Sequence, residues 1–140
     1  MHNKQKEIHE LLALLLIASR MSFFKEGLTA STVRHVIESI RVEHPAAASI
    51  LTIPTLHVSR TILARFNEAE ALPYGFVVGE RQPISRAAYV THFSLSSLGE
   101  QKAREVLEDL PEVCRIALEN SLVSVYHEQG QWHGVSRRSR

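Results

Sequence analysis

The run Leu56-His57-Val58-Ser59-Arg60-Thr61-Ile62-Leu63-Ala64-Arg65-Phe66 decides the fold, together with Tyr74-Gly75-Phe76-Val77-Val78-Gly79 and the segment from Ala87 to Leu95 that follow it. Val58, Ile62, Phe66 and Ala69 recur at i, i+4, i+8 and i+11, which lines one face of a helix. The other face carries Arg60, Thr61, Ala64, Arg65 and Glu68. Leu72-Pro73 ends this helix, because a residue before proline is pushed out of the α region. Tyr74 to Gly79 and Ala87 to Leu95 are rich in Val, Tyr, Phe and Thr, the residues of strands. The intervening Arg81-Gln82-Pro83-Ile84-Ser85-Arg86 reads as a connection longer than a two-residue turn, with an arginine at each end. Ser97-Leu98-Gly99-Glu100 then fits a capping box, a hydroxyl answered by a carboxylate three residues on, and starts another helix. The block is a helix, two antiparallel strands with a charged tip, and a return helix.

Towards the N-terminus, residues 5–20 read as a helix whose apolar face (Ile8, Leu11, Leu12, Leu15, Leu16) is wider than one side of a small domain needs. Such a helix is either central to the fold or shared with a second subunit. Leu28-Thr29-Ala30-Ser31 offers hydroxyl caps to a second helix carrying Val33, Val36, Ile37 and Ile40, which His44-Pro45 closes. Residues 46–53 are apolar and uncharged; periodicity leaves helix and strand open, and the alanines favour helix. Thr55 or Ser59 is placed to cap the helix that follows. Towards the C-terminus, Pro111 can begin a helical segment, and Val113, Ile116, Ala117, Leu122, Val123 and Tyr126 extend its apolar face to about residue 128. The Gly- and Arg-rich residues 130–140 read as a basic flexible tail.

Composition bounds the answer. A chain of 140 residues with 44% hydrophobic and 22% charged residues is long enough for one core. A formal net charge of +1 means that any affinity for nucleic acid comes from where charges sit and not from their total. The single cysteine, Cys114, excludes an internal disulfide framework, fits a reducing cytoplasmic compartment, and lies on a helical pattern as a small core residue. The run LLALLLIA from Leu11 is far shorter than the roughly 20 residues that span a bilayer, and no small-residue cleavage site follows it. No membrane role is expected. The eight histidines show no metal-ligand spacing, and no phosphate loop, nucleophile elbow or carboxylate pair is present. Neither a cofactor nor an enzymatic activity is expected.

On these residues the chain resembles winged helix-turn-helix transcription regulators, most closely the PadR and MarR families, over about residues 8–110. Ser59 to Phe66 takes the place of the recognition helix. Ala88 to Gly99 takes that of the strand leaving the wing, with Ser96 where those families usually have threonine. The resemblance implies a mainly α fold with a small β-hairpin and dimerisation helices at both termini. One domain would cover residues 1–129, with its DNA-reading part at about 28–96 and its dimerisation helices at about 5–20 and 97–129.

A helix fits the major groove, where each base pair presents its own donors and acceptors. Arg60, Thr61, Arg65 and Asn67 are the side chains for base edges or phosphates there, and His57 and Ser59 suit phosphates near the helix N-terminus. Arg81 and Arg86 at the wing suit the backbone or a minor groove. The expected function is double-stranded DNA binding by a homodimeric repressor, open to a small-molecule effector. Two other readings keep the fold: a plasmid or phage partition or replication adaptor on repeated sites, and a protein-interaction module without DNA.

Overall fold

Helix α1 (Lys4–Ser19) is the element around which the rest is built. From Leu11 to Leu16 every side chain is 3% exposed or less, on all sides of the helix. Helices α4 (Ser59–Glu70), α5 (Ser97–Asp109) and α6 (Glu112–Arg138) and the second hairpin strand all pack on it. The wide apolar face is therefore consumed inside one chain. Of the two roles open to this helix, the central one accounts for its burial, and the surface expected to meet a second subunit there is covered.

The computed structural model describes residues 4–56 and 58–138, with side chains as far as Gln129. Among these are six α-helices and one two-stranded antiparallel hairpin. A 3-10 turn (Ser22–Phe24) leads from α1 to α2 (Ala30–Glu43), which Thr29 caps by accepting from Thr32 N at 3.1 Å. His44 ends α2, and Pro45 at once opens the short α3 (Pro45–Ile50). The segment open to two readings is thus helical as far as Ile50, and after Leu51 and Thr52 a second 3-10 turn (Ile53–Thr55) leads towards α4. Neither Thr55 nor Ser59 caps α4: its N-cap is Val58, with no side-chain cap.

The hairpin pairs β1 (Val77–Ser85) with β2 (Ala88–Leu95), from Val77 opposite Leu95 to Ser85 opposite Ala88. The first strand begins three residues later than Tyr74, because Gly75 turns the chain at φ +58°. The expected six-residue connection is instead mostly strand. Only Arg86 and Ala87 form the turn, and the register shifts between Pro83 and Ser85. A proline without an N–H is tolerated at such an irregularity in a two-stranded sheet, where both strands are edges. Leu28 adds an isolated antiparallel bridge to Phe93, exchanging bonds of 3.0 and 2.8 Å, so the connection before α2 is tied to the hairpin.

Helix α5 is capped one residue earlier than the capping-box pattern implied. Ser96 Oγ donates to Gly75 O at 2.6 Å and accepts from Gly99 N at 3.0 Å, while Glu100 pairs with Arg104 at 2.7 Å. Anchoring by Gly75 holds the Ser96 hydroxyl where it takes the cap. Helix α6 continues to Arg138, so helical backbone extends into the segment read from composition as a flexible tail. Extending an established helix fixes one residue per hydrogen bond gained, so Gly130 and Gly134 weaken it without ending it.

Candidate functional site

Helix α4 buries Ile62, Phe66 and Ala69, the periodic positions that marked it in the sequence. Its outward positions are Arg60, Leu63, Asn67 and Glu70, three or four residues apart and on one stripe. Ser59, Thr61 and Ala64 flank the stripe and are half-buried. His57 lies outside the described residues.

Arg65 does not belong to the outward surface. Its Nε donates to Glu7 Oε1 of α1 at 3.0 Å and its Nη1 to Glu68 Oε1 at 3.1 Å. With side-chain exposures of 13% for Arg65 and 10% for Glu7, the pair is close to buried. Arg65 was expected on the outward face, yet it lies three residues after Ile62 and four before Ala69, so helical spacing itself sets it at the edge of the buried stripe, within reach of Glu7.

Three contacts fix the hairpin on α4. The Phe93 ring stacks on Phe66 with centroids 4.4 Å apart and planes 13° from parallel. Gly79 N donates to Glu70 Oε2 at 2.9 Å, and Phe76 N donates to Ala69 O at 2.8 Å. A side chain at Gly79 would crowd this junction, since a Cβ there would lie 3.0 Å from the Phe93 ring. The hairpin therefore leaves the body in a set direction, and carries Arg81 on the strand and Arg86 in the turn, both exposed. Among the described residues no carboxylate comes within ion-pairing distance of Arg60, Arg81 or Arg86.

The far half of the hairpin also exposes Ile84 (70%) and Tyr89 (64%), large apolar side chains that the sequence reading placed in the connection and in a strand respectively, without a role.

A cavity of about 480 Å³ lies beside the hairpin root, between Phe23, Phe24, His92, Thr32, Tyr126 and Gln129. Phe23 stacks on Tyr126 there at 4.0 Å, and His92 Nε2 lies 4.0 Å from Glu26 Oε2. A second cavity, about 290 Å³, opens between α1, α3 and the α5–α6 junction near Glu10. Glu10 itself is 2% exposed, and its Oε1 accepts from Thr52 N and Ile53 N at 2.7 and 2.8 Å. Burial holds its pKa above the ordinary carboxylate value, although those two backbone donors pull the other way.

Cys114 is fully buried, and burial raises its thiol pKa, as suits an inert core position. Among the described residues no three His, Cys, Asp or Glu side chains are grouped to hold a metal ion, and no helix is long and apolar enough to cross a membrane. Comparison with known proteins gives no match to a family model, a curated protein or a solved structure.

Proposed function

We propose that the protein is a winged helix-turn-helix DNA-binding protein that acts as a homodimeric transcription regulator, most plainly a repressor. In this reading α3 and α4 form the helix-turn-helix, α4 enters the major groove, and the β1–β2 hairpin is the wing. One observation carries it: a solvent-facing helix with an unpaired arginine and an asparagine is locked by Phe66–Phe93 stacking to a hairpin that carries two more unpaired arginines, Arg81 along its first strand and Arg86 in its turn. Arg60 and Asn67 have the donor and acceptor groups for base edges, with Thr61 and Ser59 beside them for phosphates. The absence of a side-chain cap at Val58 leaves the positive end of α4 available to a phosphate. An effector has a place in the cavity beside His92, whose walls include the hairpin that would have to move.

The test is a salt titration of binding to random duplex and to a duplex selected by the protein from a random pool. Binding to both is expected to weaken as salt rises, with the selected duplex favoured throughout. Arg60→Ala is expected to reduce discrimination between the two, while Arg81→Ala and Arg86→Ala weaken both alike. Salt-independent behaviour, or no binding at all, would leave the protein-interaction reading in its place.

A further inference from the structure

We infer that Glu7 and Glu10 of α1 are positioning residues that set the orientation of α4 relative to the helical body, and with it the readout of DNA. The inference rests on the DNA-binding reading of α4 for its consequence, and on the contacts of α1 for its geometry.

From Leu11 to Ala18, α1 buries only apolar side chains. Its first half differs: Glu7 (7% exposed) and Glu10 (2%) are carboxylates in positions an apolar residue could fill. Both are committed to the segment that presents α4. Glu10 Oε1 takes the N–H groups of Thr52 and Ile53, at 2.7 and 2.8 Å, where the 3-10 turn into α4 begins. Glu7 takes Arg65 Nε at 3.0 Å, halfway along α4. The segment is thus pinned at two points, one before the helix and one within it.

The chemistry explains why carboxylates and not leucines occupy these sites. Apolar contacts are non-directional and allow a helix to roll and slide on its neighbour. A buried ion pair contributes little net stability over a well-packed apolar pair of similar volume, because desolvation offsets attraction. What it supplies is direction. Hydrogen bonds weaken steeply away from their preferred angle, so two such anchors fix both rotation and translation of α4. Arg65, at the edge of the buried stripe of α4, is the receiving end of the clamp.

The experiment uses the full chain with Glu7→Leu and Arg65→Met introduced together, a pair that keeps the site filled and leaves no buried charge unpaired, since Glu68, which also loses Arg65, is 39% exposed. Two readouts are taken. Spin labels at the exposed positions 5 and 71 (Gln5→Cys, Ala71→Cys), with Cys114→Ala to remove the native thiol, report the distance between α1 and the end of α4. The expected result is a protein that melts at or above the wild-type temperature and shows a distance distribution clearly broader than wild type. Its preference for the selected duplex over random duplex is expected to fall about tenfold, the order of one lost base-pair contact. Glu7→Arg with Arg65→Glu, which restores the pair in reverse, is expected to recover part of both.

An unchanged distance distribution overturns the inference, as does unchanged discrimination in the broadened variant. Wild type that fails to bind duplex at all is a failure of the DNA reading. In that case the distance measurement alone still decides whether the clamp orients α4.

Discussion

Replacing Gly27 by alanine tests how the hairpin is held to the body. Gly27 has φ +95°, a conformation that costs an L side chain roughly 1 kcal/mol. A Cβ there would also fall on the Phe93 carbonyl, the atom that accepts from Leu28 N at 3.0 Å. Relief of that clash separates Leu28 from Phe93 and breaks the two bonds of their bridge, each contributing on the order of 1 kcal/mol net. The sum is about 3 kcal/mol. For a chain of 140 residues the entropy of unfolding is about 0.3 kcal/mol per kelvin, so Tm should fall by about 10 °C. Gly75→Ala is the control. Its φ of +58° carries the same backbone cost, yet nothing lies within 4 Å of its Cβ. A loss of only about 1 kcal/mol is therefore expected there. Urea and thermal unfolding followed by circular dichroism measure both variants, and the m-value should stay constant. If Gly27→Ala costs no more than Gly75→Ala, the bridge is not what secures the hairpin and the reasoning fails.

Arg65→Ala, which leaves Glu7 buried without its partner, should cost about 3 kcal/mol in urea unfolding, far more than a surface arginine would. The Glu10 carboxyl is held above its unfolded pKa by burial, so the native state keeps that proton more tightly than the unfolded chain. Stability from this group is then greatest at low pH and declines as pH rises from about 4 through the raised pKa; Glu10→Gln should flatten that part of the stability profile. Within the dimer reading, Ile116→Glu should shift sedimentation towards a monomer while leaving the monomer's Tm within a few degrees, because Ile116 is 47% exposed on α6. An unchanged sedimentation coefficient would remove this part of α6 from any dimer contact.

The helices were legible where burial imposes a period. Ile62, Phe66 and Ala69 marked α4, and Val33, Val36, Ile37 and Ile40 marked α2, because a helix between solvent and core must repeat its apolar residues. Helix α1 was harder to place. A helix buried on all sides loses the contrast that carries the signal, and only its excess of leucine hinted at a central position. The hairpin was legible in composition and not in register. Nothing local to Arg81–Arg86 distinguishes a long loop from strand that continues to a two-residue turn, since the pairing depends on residues of the other strand. Arg65 was legible but misread: its spacing of three from Ile62 and four from Ala69 sets it beside the buried stripe, and only the identity of its partner, Glu7 of another helix, had no local signal.

On the DNA-binding reading, the inward turn of Arg65 also limits the charge that could meet phosphates. Of the four arginines that α4 and the hairpin contribute, three remain unpaired and exposed: Arg60, Arg81 and Arg86. If each displaces one phosphate counterion, the slope of log K against log salt is about −2.7 for one chain and about −5 for two. A slope near the larger figure would fit two chains engaged at once through these residues. One near the smaller would fit a single chain. A steeper slope would need cations elsewhere, of which the exposed Arg34 on α2 is the first to consider. A sequence with a net charge of +1 offers DNA little bulk attraction, so in the proposed DNA-binding role discrimination would rest on how rigidly these few side chains are aimed. On that reading, the Phe66–Phe93 stack and the two carboxylates of α1 would serve aim as well as stability.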